Sequence, residues 1–207
     1  MNEGSNALVF WILVPLFVAV GLYLVWYSRR RKKMLEAFAK THRFRIRPER
    51  KEAIQKTLDR SFSLDRKNLV RKFGQLSSLV DGGSVWLFRT VELIDLDPYA
   101  QAYVTHYSRI VALFDITTDH DEFFLLDKSM QAIPVLPGSK PPDSDVTEVA
   151  RRLAASSNSR HALSVTLKNN RGLIYFQPFV VGGETLSDVD SLYSIAKNMC
   201  DELSGNV

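Results

Sequence analysis

The chain has 207 residues, of which 45% are hydrophobic and 24% charged, and this composition excludes a wholly disordered protein. The net charge of +4 is unevenly distributed: residues 29–72 carry 17 Lys and Arg against 5 Asp and Glu, whereas the chain from residue 73 onward is acidic. A single cysteine, Cys200, excludes an internal disulfide framework. Composition therefore predicts a folded domain preceded by a strongly basic segment.

An uncharged apolar run, ALVFWILVPLFVAVGLYLVWY, occupies residues 7–27. As a helix it would span roughly 31 Å, which matches the ~30 Å hydrocarbon core of a bilayer. No basic residue precedes the run and no A-x-A-like cleavage site follows it. These features are typical of an uncleaved anchor and not of a signal peptide. We therefore predict a transmembrane helix over residues 1–28 and a single-pass protein of the cell inner membrane.

Five consecutive basic residues follow this run after Ser28. By the positive-inside rule they place the N-terminus outside and the C-terminal domain in the cytoplasm. We expect them, together with three later arginines, to face anionic lipid headgroups. The predicted lipid-facing set is Arg29, Arg30, Arg31, Lys32, Lys33, Arg43, Arg45 and Arg47. Because the charges adjoin the membrane, we expect no nucleic-acid partner.

The first predicted element after the run is a continuation of its helix through RRRKKMLEAFAKTH. Its apolar stripe can pack on the domain or lie on lipid. A short strand at residues 44–46, a helix that begins at Pro48 and a loop over residues 60–67 are predicted next. These patterns predict a helical neck over residues 29–60 and a cytoplasmic domain over residues 61–207.

Predicted strands dominate the middle of the chain. Residues 76–80 and 84–91 flank Asp81-Gly82-Gly83, whose glycines suit a tight hairpin turn. The further predicted strands cover residues 103–116, 122–126, 162–167 and 172–179, the last two forming a second hairpin. Helices are predicted over residues 145–155 and after Ser187, which we expect to cap the final helix. This order predicts an α+β domain with antiparallel strands, in one sheet or two.

The sequence contains no G-x-x-x-x-G-K-[ST], H-E-x-x-H or G-x-S-x-G motif. The most suggestive cluster is Asp119-His120-Asp121, because a carboxylate beside an imidazole can bind a metal or hold a general base. His106 is a further candidate ligand. The simpler interpretation is a polar turn between two strands, so we assign no catalytic residue, no metal and no cofactor. We expect Cys200 to be a buried, unreactive thiol.

Three segments resemble a loose set of uncharacterised bacterial single-pass membrane proteins with a basic neck and a strand-rich cytoplasmic domain. The segments are Phe44-Arg45, LVDGGSVWLF at residues 79–88 and IVALF at residues 110–114. The resemblance extends over roughly two thirds of the chain. It implies the architecture and carries no activity.

The anchor, the basic neck and the missing motifs favour a non-enzymatic interaction or regulatory domain. We expect it to be an accessory component of a membrane protein complex, with a protein partner in the membrane. Two alternatives stay open. One is an enzyme of unfamiliar type, such as a metal-dependent hydrolase that uses Asp119, His120 and Asp121. The other is a sensor of anionic lipid.

Overall fold

The computed structural model describes residues 3–66, 69–95, 105–118, 120–127, 129–134, 144–157, 161–177 and 185–205. In these ranges the chain is an α+β structure in which helices flank an antiparallel sheet. The helices are α1 (Glu3–Thr41), α2 (Lys51–Thr57), α3 (Ser144–Ala155) and α4 (Leu186–Leu203). A 3-10 turn, Pro48–Arg50, leads into α2, and a π-helical turn, Leu58–Phe62, follows it.

The strands belong to one ten-stranded sheet, which decides between the one-sheet and two-sheet alternatives. They are β1 (Arg45–Ile46), β2 (Leu64–Arg66), β3 (Leu69–Phe73), β4 (Ser77–Asp81), β5 (Val85–Asp95), β6 (Thr105–Asp115), β7 (Asp121–Leu126), β8 (Ala132–Pro134), β9 (Ala162–Lys168) and β10 (Arg171–Gln177). The order is β1-β4-β5-β6-β10-β9-β7-β8. Strand β3 pairs with the second half of β5, and β2 pairs with β3. The predicted α+β class with antiparallel strands is confirmed.

One face of the sheet, which we call the helical face, packs against α1, α3 and α4. The helices contribute apolar side chains at helical spacing, and the strands contribute alternate residues. The buried helix residues include Leu35, Phe38, Val146, Ala150, Leu192, Ile195 and Met199, and the buried strand residues include Leu87, Phe114, Phe124, Val165 and Ile174. The structure therefore selects packing, not lipid contact, for the stripe that includes Leu35 and Phe38.

The opposite face, which we call the inner face, is curled. The guanidinium of Arg71 on β3 donates to the Thr166 hydroxyl on β9 at 3.0 Å and lies 4.3 Å from the ring centroid of Phe123 on β7. In a flat sheet β3 and β9 would be separated by roughly 19 Å, since strands lie about 4.8 Å apart. The sheet must therefore bend toward its inner face, which the π-helical turn covers with Leu58 and Phe62.

Both predicted hairpins are present, each with a turn suited to its residues. Asn169 and Asn170 between β9 and β10 have φ values of 52° and 59°, the left-handed conformation that a type I′ turn requires. Between β4 and β5, Gly83 has a φ of 86° and its amide donates to the Asp81 carboxylate at 3.0 Å. These hairpins could be predicted because turn chemistry is local.

Two local predictions were wrong. Residues 60–66 of the predicted loop 60–67 include the end of the π-helical turn and strand β2, and residue 67 lies outside the described residues. The cap of α4 is Thr185 and not Ser187. The Thr185 hydroxyl accepts from the Asp188 amide at 3.2 Å, and the Asp188 carboxylate accepts from the Thr185 amide at 2.8 Å. This reciprocal pair forms a capping box. Ser187 lies inside the helix and is not part of it.

Among the residues whose side chains the structure describes, no helix combines the length and the apolar character that crossing a membrane requires.

Candidate functional site

The basic end of α1 presents two different faces. Arg31 lies on the same side as Leu35 and Phe38, which pack into the core, and its side chain is only 2% exposed. Arg30 and Lys33 project from a different side, since residues three and four apart share one face of a helix. The prediction that Arg31 faces lipid was therefore wrong for this residue. One side of the basic run, with Arg31, packs into the core, and another side, with Arg30 and Lys33, is exposed.

The exposed side of this segment borders a groove between α1 and the first residue of α4. We call it the neck groove, and its volume is about 470 Å³. It is lined by Trp26, Arg29, Arg30, Lys33, Met34, Ala37 and Leu186. The guanidinium carbon of Arg30 lies 5.4 Å from the centroid of the Trp26 ring, a cation–π distance. None of these lining residues is acidic, so the groove combines three cations with an apolar wall.

The other predicted lipid-facing residues have different surroundings. Lys32 forms an ion pair with Glu36 at 3.8 Å, and Arg47 lies 3.4 Å from the Asp81 carboxylate. Arg43 and Arg45 are exposed beyond the end of α1.

The helix rises roughly 21 Å between residues 27 and 41, whereas the Debye length is only about 8 Å at physiological ionic strength. If α1 stands upright in a membrane, the charges beyond its end are largely screened from the surface.

An aromatic cluster joins the end of α1 to the domain. The ring of Tyr193 on α4 packs edge-on to Phe38 with centroids 5.6 Å apart, and its hydroxyl donates to the Gly82 carbonyl at 3.2 Å. His42 pairs with the Asp190 carboxylate at 2.8 Å. A Cβ atom at Gly82 would lie 2.8 Å from the Tyr193 ring, so the hairpin turn needs glycine for this close approach. Helix α1 is therefore built into the domain.

The candidate metal ligands do not form one site in the described part of the chain. Asp119 and the side chain of His106 lie outside the described residues. His120 pairs with Glu122 at 3.3 Å, and Asp121 lies 4.0 Å from the ammonium of Lys168. The described residues contain no group of three or more His, Cys, Asp and Glu side chains that could hold a metal.

The Cys200 thiol is buried, as expected. It donates to the Asp115 carbonyl at 3.2 Å. Burial raises the pKa of this thiol, which disfavours the reactive thiolate.

A buried ionic network, which no sequence pattern predicted, lies on the inner face. Arg71 and Glu92 are both fully buried and are joined at 2.7 Å, and the Tyr175 hydroxyl donates to the same Glu92 oxygen at 2.7 Å. Arg109 lies 3.7 Å from the second Glu92 oxygen, and Thr166 accepts from Arg71. Arg71, Glu92 and Arg109 each come from a different strand. A single charge within a strand resembles a solvent-exposed position, so no sequence pattern indicated the network.

The network is suited to structure and not to chemistry. Burial opposes the charge on Arg71, but Tyr175 and Glu92 outweigh it, so that the pKa of this guanidinium is raised. Burial, reinforced by Glu92, also raises the pKa of the Tyr175 hydroxyl to about 12. Arg71 stays charged and Tyr175 stays protonated at neutral pH. A carboxylate held by these partners and closed off from solvent is not available to a substrate.

Comparisons with known proteins find no match for the chain among protein-family models, curated proteins or solved structures. The resemblance to bacterial single-pass proteins stays a prediction.

Proposed function

We propose that the chain is a single-pass membrane protein whose α+β domain acts as a non-enzymatic interaction or regulatory module at the cytoplasmic surface. It would serve as an accessory component of a membrane protein complex. The observation that carries this proposal is the continuity of α1, one helix of 39 residues that contains the apolar run and extends into the domain core.

The two ends of α1 have opposite surroundings. Large apolar side chains are exposed along its first part, a distribution suited to lipid and costly in water. They include Trp11, Leu16, Phe17, Leu22, Val25 and Trp26. The last turns are buried through Leu35 and Phe38 and held by the aromatic cluster. A domain attached in this way would keep a fixed orientation relative to the bilayer.

Exposed apolar residues at the sheet edges support a docking role. Strands β1 and β8 end the strand order, and each carries an exposed isoleucine: Ile46 is 49% and Ile133 is 45% exposed. Edge strands can accept an added strand from a partner, with main-chain hydrogen bonds that supply affinity. The five basic residues after the apolar run favour a cytoplasmic domain.

The anchor is tested by alkaline extraction of native membranes, followed by protease accessibility of a C-terminal tag in spheroplasts and lysed cells. We expect the chain to stay in the membrane pellet and the tag to be cleaved only after lysis. Release by alkali would contradict the anchor, and cleavage in intact spheroplasts would contradict the orientation.

The docking role is tested by crosslinking in native membranes, with the tagged full chain, Ile46→Asp and Ile133→Asp compared side by side. Each edge variant is the control for the other. We expect one stoichiometric partner that is lost in only one variant. Membranes that yield no stoichiometric partner would contradict the interaction role.

A further inference from the structure

The neck groove differs from the rest of the basic surface in how its charges are arranged. Arg29 and Lys33 are four residues apart and Arg30 and Lys33 are three apart, so like charges are neighbours on one side of α1. Such pairs are unfavourable unless an anion lies between them. The nearest acid of α1, Glu36, pairs with Lys32 and does not line the groove. The described residues that line the groove therefore supply no counterion.

We propose that the neck groove binds the headgroup of one anionic phospholipid, with the phosphate held between Arg29, Arg30 and Lys33. This inference rests on the proposed membrane anchor. Arginine pairs with phosphate oxygens in a bidentate manner, and lysine contributes a compact charge. The stacking of Arg30 on Trp26 restricts the guanidinium before the lipid arrives.

The position of the groove selects lipid over a free phosphate. Trp26 lies at the end of the apolar run, where indole rings settle at the headgroup level of a bilayer. An acyl chain can follow α1 past Trp26 into the membrane. Met34 and Leu186 add apolar surface to the lining of the groove.

The test uses the full chain in nanodiscs that contain phosphatidylcholine with increasing phosphatidylglycerol. Bound lipid is counted by native mass spectrometry after mild release from the disc. We expect one phosphatidylglycerol to be retained by the wild type. In the groove variant Arg30→Gln/Lys33→Gln the apparent affinity should fall roughly tenfold or more. The control variant Arg43→Gln/Arg45→Gln loses the same charge beyond the end of α1 and should retain the lipid.

A second variant leaves α1 unchanged. Leu186→Glu places a carboxylate in the groove at the first turn of α4, where acidic residues are tolerated. We expect it to displace the lipid by repulsion, whereas Leu186→Gln should not. Equal losses of bound phosphatidylglycerol in the groove and control variants would overturn the site in favour of diffuse electrostatic attraction. Retention of the lipid by every variant would also overturn the site. Displacement by inorganic phosphate in detergent would identify a free-phosphate site and overturn the lipid assignment.

Alkaline extraction of native membranes distinguishes failure of the proposed anchor from failure of the proposed lipid site. Release of the wild type would remove the anchor and the lipid site together. If the chain stays in the membrane pellet but the groove and control variants bind phosphatidylglycerol equally, the lipid site alone is contradicted.

Discussion

The two faces of the sheet reach burial by different chemistry. The helical face excludes water with aliphatic and aromatic side chains contributed by α1, α3, α4 and the strands. The inner face buries an apolar cluster too, but Arg71, Glu92 and Arg109 lie beside it. Apolar burial is non-directional, so its stabilisation is spread over many contacts. A buried ionic network is directional, and removing one member leaves the others without compensation. The inner face should therefore be the less tolerant of small changes.

The largest effect is expected from Glu92→Gln, which keeps the side-chain shape and removes the charge. Arg71 and Arg109 would then be buried without their carboxylate, at a cost of about 3–5 kcal/mol in unfolding free energy. Urea denaturation of the full chain in detergent, followed by circular dichroism, measures it. The matched control is Glu52→Gln, which removes an exposed ion pair with Lys56 and should leave stability unchanged. Equal midpoints for the two variants would contradict the distinction between the faces.

On the helical face, Phe38→Ala should cost about 3–4 kcal/mol, because it empties a fully buried aromatic position. Phe38→Leu should cost considerably less, since the remaining side chain fills part of the space. The exposed neighbour variant Lys40→Ala controls for changes in helix propensity. The same denaturation measurement applies. A full-sized loss for Phe38→Leu would show that this face is as intolerant as the inner one.

High pH should weaken the inner face through the Tyr175 phenol. Below pH 10 the Tyr175 phenol is protonated in both the folded and unfolded chains, but between pH 10 and about 12 only the unfolded chain ionises. The unfolding free energy should therefore fall across this window, by about 2 kcal/mol at its upper end. Tyr175→Phe lacks the ionisable group, so the difference between wild type and variant isolates this effect. A difference that does not change with pH in this window would contradict the raised pKa.

The smallest of these effects is expected from Gly172→Ala on the helical face. A Cβ atom there would lie 2.2 Å from Cζ of Phe114, its cross-strand partner, so the ring must shift within a packed core. Such overpacking costs about 1–3 kcal/mol. Adding Phe114→Leu to Gly172→Ala should recover part of the loss, because the smaller side chain leaves room for the methyl group. Additive losses in a double-mutant cycle would argue against this contact.

Some features of the basic neck could be predicted from the sequence, and others depend on the tertiary structure. The basic run after an apolar helix could be recognised from composition, since charge and hydropathy are local properties. The burial of Arg31 and the exposure of Arg30 could not be recognised in this way, because they depend on which side of α1 packs against the sheet. The neck groove also needs Leu186, which is distant in sequence and arrives only when α4 packs beside α1.

The sequence by itself determined the α+β class, both hairpins, the continuation of the first helix and the final amphipathic helix. Each follows from a periodic pattern or a turn residue, and these act within a few positions of the chain. The tertiary structure alone decided the single curled sheet, the cap at Thr185 and the burial of Arg71 with Glu92. The alternating sequence pattern of a strand is the same whether its polar residues face water or contact another strand of the curled sheet. Only the curvature of the sheet brings β3 to β9 and gives those charges their partners.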